Sequence, residues 1–159
     1  MIALSTASAA SVTGLAFISP IILLIKNHYN VSSNEVQLTI TIYLVAICIS
    51  QIFWGPLSDL IGRRIVLIIG ASLFSLGGIL ASLNLAFEFF VFFRFLQGIG
   101  AAACLSMPRV MLTESYGVKK AAAKMSTLLA FMAVFPILSA AFGGYIAVSY
   151  THLRAHETA

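Results

Sequence analysis

The sequence predicts an all-α membrane protein of about five transmembrane helices, and three observations carry that prediction. Of its 159 residues, 60% are hydrophobic and only 9% are charged, with a mean hydropathy of +1.03. A soluble domain is roughly 25% charged, so this chain has too few charges to coat a water-facing surface, and disorder fails for the same reason. The apolar residues fall in stretches near the roughly 20 residues that a helix needs to cross a bilayer. They are longer than a barrel strand and lack its polar/apolar alternation.

Five apolar segments follow one another at about 3–25, 37–57, 66–84, 88–112 and 125–147. The first shows no cleavable signal peptide: Met1 is followed by no basic region, and the apolar stretch runs on too long. The break Lys26–Glu35 (KNHYNVSSNE) carries turn formers, and its Ser32-Ser33-Asn34-Glu35 run suits a cap on the second helix. Ser58–Arg64 reads as a tight loop around Gly62, Asn84–Glu88 as a minimal turn, and Glu114–Lys124 as the longest connection between spans. Cys48 and Cys104 lie in apolar stretches without metal-ligand spacing and read as small core residues.

The net charge is +4, from nine Lys+Arg and five Asp+Glu. In so apolar a chain the basic residues report topology, not nucleic-acid binding. Arg63, Arg64, Lys119, Lys120 and Lys124 occupy the second-to-third and fourth-to-fifth connections, whereas the other two connections hold only Lys26. Positive charge marks the cytoplasmic side, which places the N-terminus inside and the end of the fifth span outside.

Three stretches carry candidate chemistry. In Gly55-Pro56-Leu57-Ser58-Asp59-Leu60-Ile61-Gly62-Arg63-Arg64, Gly55 allows close helix approach, Pro56 weakens the helix end and Gly62 permits a reversal. Asp59 and Arg63 are four apart, the spacing of a local ion pair if the stretch is helical. A generic basic turn accounts for the arginines but not for the aspartate and glycines. In the fourth segment Gly98, Ala101, Leu105 and Arg109 fall within about 60° of Arg94 on a helical wheel, a stripe suited to close packing or to lining a cavity. Arg94 is a functional candidate because an intramembrane charge is costly; the alternative is that it snorkels to the nearby outer interface. The second segment offers Tyr43, Ser50 and Trp54 on one face and Gln37, Thr41, Cys48 and Gln51 on another. Either face suits a substrate path or helix–helix pairing; Tyr43 and Gln51 are the candidates chosen, with Arg109, and Trp54 also reads as an interfacial anchor.

GPLSDLIGRR resembles the signature loop between spans two and three of the major facilitator superfamily, G-x-L-x-D-x-x-G-R-[RK]. Arg94-Phe95-Leu96-Gln97-Gly98-Ile99-Gly100-Ala101-Ala102 is similar to that superfamily's fourth-span motif, R-x-x-Q-G-x-G-x-A. Val36-Gln37-Leu38-Thr39, and Pro136-Ile137-Leu138 before Gly143-Gly144, resemble the Bcr/CflA drug-resistance subgroup, and the likeness covers residues 10–147. It implies a fold of two six-helix halves, of which this chain would supply an incomplete N-terminal half, in a bacterial inner membrane. It also implies a cytoplasmic gate at Gly55, Asp59, Gly62, Arg63 and Arg64, proton coupling through Arg94 with Gln97, Gly98 and Gly100, and a flexible fifth-span motif at Pro136, Gly143 and Gly144. The expected activity is alternating-access export of small amphipathic compounds, with protons as partners, a proton gradient as energy source and no cofactor. The alternative within the superfamily is a transporter of sugars or other metabolites. A membrane-embedded enzyme would need His/Asp/Glu or Ser/Lys constellations at membrane depth, and a scaffold would need no gate motif. No G-x-x-x-x-G-K-[ST] loop supports ATP-driven export.

The chain departs from the subgroup pattern. Aligning Pro20 on the family proline puts Ala16 where an acidic residue is expected, and Ala140 stands for a second proline. No carboxylate lies deep in any span: Glu35, Asp59, Glu88 and Glu114 sit at ends or loops. After Ala147 the character changes. Val148–Thr158 (VSYTHLRAHET) holds His152 and His156, too few ligands for a metal site, and resembles the translation of a transposon-type sequencing-library adapter. Residues 148–159 are therefore expected to be a non-native tail on a transporter piece that is inactive alone and lacks the C-terminal half of the same chain.

Overall fold

The structure, a computed structural model, describes the backbone of residues 2–16, 18–83 and 85–157, and the side chains of these except 19, 118, 119 and 146–157. The side chains of Lys119, one of the topology markers, and of the tail expected at 148–159 lie outside what is described. The elements are α1 (Ile2–Ala16), α2 (Ile18–Tyr29), α3 (Ser33–Ile61), α4 (Arg63–Ala81), α5 (Phe87–Gly117) and α6 (Lys120–Tyr145). Helical backbone continues beyond α6 to Glu157. Four described helices, α3 to α6, are long and apolar enough to cross a membrane, and α1 with α2 makes a fifth if the bent pair is one span. The described residues are thus helical apart from short turns, as the long apolar runs predict.

The first apolar stretch is not one straight helix. It bends by 59° between Ile2–Ala16 and Pro20–Tyr29. Pro20 accounts for the break: it lacks an N–H, and its ring crowds the carbonyl four residues back, which belongs to the last residue of α1. At the next boundary the cap forms as the sequence indicates. The Ser32 hydroxyl accepts from the Glu35 N–H at 3.3 Å, and the Glu35 carboxylate accepts from the Ser32 N–H at 2.7 Å, a reciprocal capping box.

Two connections are tighter than the sequence predicts. The expected Ser58–Arg64 loop contracts to Gly62 alone, at φ 94° and ψ 143°, with its N–H donating to the Ser58 carbonyl at 3.0 Å. Pro56 sits inside α3, which runs on to Ile61, so it does not end the helix. The expected Glu114–Lys124 connection is helical on both sides of Gly117, whose φ of 69° divides α5 from α6. Both glycines occupy a backbone region that a side chain disfavours, so each reversal costs one residue instead of a loop.

Small residues make α5 the centre of the bundle. A Cβ on Gly98 would lie 2.6 Å from the Tyr43 carbonyl oxygen and 2.7 Å from the Ala46 Cβ, so α3 and α5 meet at backbone distance there. Gly100 meets Gly70 and Phe74 of α4 in the same way. On the third side the Ser8 hydroxyl of α1 donates to the Cys104 carbonyl at 3.1 Å. Ala101, Ala102 and Ala103 are fully buried, and Trp54, Val66 and Met107 pack around them. Close approach through small residues and interhelical hydrogen bonds is how helices associate in lipid, where apolar burial gives no advantage. Ile52, Leu60, Ile79 and Phe92 point outward, as lipid contact requires.

Candidate functional site

Arg94 lies seven residues into α5, about 10 Å along the axis from its start. Its side chain does not snorkel. It is 8% exposed and turns into the bundle, where Nη1 donates to the Gln97 Oε1 at 2.7 Å and to the Gly14 carbonyl of α1 at 3.3 Å. The guanidinium carbon also lies 5.9 Å from the Tyr43 ring centroid and 5.7 Å from that of Phe90, within cation–π range. Tyr43, 1% exposed, is fixed in turn by its hydroxyl, which donates to the Ser11 carbonyl at 2.7 Å. Helices α1, α3 and α5 thus converge on one arginine.

Beside it opens a cavity of about 460 Å³, walled by Ile21, Ile25, Phe74 and Phe90 among others, with Thr13, Ser82, Arg94 and Gln97 as its polar side chains. Two polar atoms here are buried without a hydrogen-bond partner, Nε of Arg94 and Oγ1 of Thr13. Among the described residues no carboxylate pairs with Arg94, and Glu35, Asp59, Glu88 and Glu114 are all exposed. Ala16, at the position where the family pattern expects an acid, ends α1 two residues beyond the Gly14 carbonyl that Arg94 holds.

The second constellation lies at the turn between α3 and α4. Arg63 pairs with Asp59 at 2.5 Å and with Glu114 of α5 at 3.1 Å, and it also donates to the Ser58 hydroxyl. The Asp59–Arg63 pair forms although Gly62 interrupts the helix between them, because the one-residue turn keeps the two side chains adjacent. Arg64 is exposed and makes no ion pair among the described residues. Gly55 has open space where a Cβ would be, so the close approach expected there is not made by any described helix; it lies on a face that α4 and α5 do not cover.

The other sequence candidates divide by face. Tyr43, Ser50 and Trp54 all point inward, whereas Gln37, Thr41, Cys48 and Gln51 are exposed. Trp54 is not a lipid anchor: it is 7% exposed and its indole N–H donates to the Ile99 carbonyl at 2.9 Å. Cys104 is a core residue as expected, but Cys48 is exposed because it shares the face of Gln51. Arg109 is exposed at the α5–α6 seam, with Nη2 3.9 Å from the Met132 sulfur. In α6 Pro136 is half-buried, its carbonyl accepting from the Ser139 hydroxyl at 2.9 Å; Gly143 is buried and Gly144 half-buried. Sequence reasoning missed Thr13, Gly14 and Phe74. The only signal was the small-residue run Ser5–Gly14, which fits tight helix packing but does not single out a carbonyl or a hydroxyl.

The described residues thus form a bundle of apolar helices long enough to cross a membrane, with a buried arginine beside a cavity and a charged turn between α3 and α4. The family model of the Major Facilitator Superfamily matches residues 4–155, and the chain belongs to that family. Among curated relatives, it is 28% identical over 142 residues to a "Bicyclomycin resistance protein homolog" of Haemophilus influenzae, covering 89% of this chain and 35% of that protein. It is 25% identical over 126 residues to the "Multidrug resistance protein MdtL" of Vibrio parahaemolyticus, covering 79% of this chain and 32% of that one. The MdtL of Escherichia coli O81 is 28% identical over 121 residues, 76% of this chain and 31% of the relative. The chain therefore spans about a third of the length of the curated relatives it matches.

Proposed function

We propose that the chain is the greater part of the N-terminal half of a proton-coupled exporter of small amphipathic, drug-like compounds. It would act in a bacterial inner membrane with its N-terminus in the cytoplasm. The observation that carries this reading is Arg94, buried where α1, α3 and α5 meet and lining a cavity of a size that takes a drug-like molecule. A charge held inside an apolar bundle is costly, and in membrane proteins such residues mark substrate or ion pathways. The names of the relatives, multidrug and bicyclomycin resistance proteins, agree with the substrate class.

In this reading the Asp59–Arg63–Glu114 cluster, with Arg64 beside it, is the cytoplasmic latch, and the open face at Gly55 receives the second half of the transporter. Pro136, Gly143 and Gly144 give the last helix its freedom to bend. Residues 148–159 would be a non-native tail on their likeness to the adapter alone, although the family match runs to residue 155. Because no carboxylate stands at membrane depth among the described residues, the proton carrier is supplied from the second half or from the Asp59–Glu114 end. The test is accumulation of labelled compounds in a pump-deficient bacterium expressing the uninterrupted gene. Accumulation should fall on expression and recover with a protonophore; accumulation indifferent to the protonophore contradicts the reading.

A further inference from the structure

The cavity beside Arg94 lacks one chemical element, a negative charge. A guanidinium has five N–H donors, yet the hydrogen bonds made by Arg94 both leave Nη1 and both end on neutral acceptors, the Gln97 amide and the Gly14 carbonyl. Both residues line the same cavity, and Nε and the Thr13 hydroxyl are buried without a partner, so a turn of each side chain is needed to present them to a ligand there. Arg94 is 8% exposed, so most of its surface is removed from water. A buried charge is stable when paired, and the rings of Tyr43 and Phe90 offer only their π faces. No described carboxylate pairs with it. The remaining wall is mainly apolar, from Ile21, Ile25, Phe74 and Phe90, and its one other hydroxyl, Ser82, already donates to the Ile79 carbonyl.

We propose that this cavity is an anion subsite: Arg94, with Thr13 as a second donor, takes a carboxylate or comparable monoanion whose apolar body rests on the Ile21, Ile25 and Phe74 wall. The site then favours anionic and neutral amphipathic compounds and rejects cations, which would face an uncompensated guanidinium. This rests on reading the cavity as part of a substrate path, and it narrows the substrate class of that path.

The experiment is equilibrium binding to the purified transporter encoded by the uninterrupted gene, in lipid nanodiscs, with benzoate, benzylammonium and chloride as probes. Benzoate should bind saturably and benzylammonium should not. Arg94→Gln should weaken benzoate at least tenfold, and Thr13→Val by a smaller factor, with helicity and melting temperature recorded for each. Arg94→Lys, which keeps the charge, should retain binding within tenfold, and this variant decides the matter if Arg94→Gln does not fold. Displacement of benzoate by chloride identifies the site as one for small inorganic anions as well; displacement only by other aryl carboxylates shows that the apolar wall is needed. Equal binding of benzylammonium, no saturable anion binding, or binding unchanged in both Arg94→Gln and Thr13→Val overturns the proposal. Binding needs no transport cycle, so gradient-driven export of cations without anion binding sinks the subsite alone. Anion binding without export sinks only the transport reading.

Discussion

Gly98→Ala tests the packing that brings the site together. The added Cβ would stand 2.6 Å from the Tyr43 carbonyl oxygen and 2.7 Å from the Ala46 Cβ. Ordinary contacts begin near 3.5 Å, so α3 and α5 must part by about 0.8–0.9 Å. The first atom met is backbone and cannot rotate away, so the clash is relieved only by moving a helix. Overpacking of this kind costs about 1–3 kcal/mol. Against it stands the better helix propensity of alanine, up to about 1 kcal/mol. Gly144→Ala supplies the control, because its Cβ meets nothing within 4 Å and carries the propensity gain alone. The difference between the two variants therefore isolates the packing term. Reversible unfolding of the chain in mixed micelles should place Gly98→Ala about 1–3 kcal/mol below Gly144→Ala. Two variants within about 0.5 kcal/mol of each other would refute the close α3–α5 crossing, and with it the placement of Tyr43 against Arg94.

Three further outcomes are expected. Trp54→Phe removes the indole donor to the Ile99 carbonyl and should cost about 0.6–1 kcal/mol in the same unfolding assay. Glu114→Gln deletes one of the two carboxylates on Arg63; its effect on melting temperature should be small and should fade at about 1 M salt, where the screening length falls to about 3 Å. Ser32→Ala breaks the capping box and should lower the protection of the first α3 amides by about 1 kcal/mol in hydrogen exchange, leaving the α5 amides unchanged.

Helix type and number were legible because the bilayer leaves so few options: long apolar runs can satisfy their backbone only as helices. The Ser32 cap and the Asp59–Arg63 pair were legible because each depends on residues three or four apart. What could not be read are relations set by other helices. Whether Arg94 reaches outward or inward depends on the Gly14 carbonyl, 80 residues away. Whether Trp54 meets lipid depends on a gap opened by glycines and alanines of α5. Gly55 misled because a glycine signals the capacity for close approach, not the presence of a neighbour. The bend at Pro20 was not read, because the apolar run from 3 to 25 has the length of one span and gives no periodic sign of a break.

The most direct measurement is substrate flux in proteoliposomes holding the transporter encoded by the uninterrupted gene, with a pH gradient imposed and then collapsed. Substrate should move only while the gradient stands, and Arg94→Gln should stop that movement while leaving the helical content and melting behaviour of the protein in place. Movement that persists after the gradient is collapsed, or that Arg94→Gln leaves unchanged, would contradict the assignment of this buried arginine to a gradient-driven exporter.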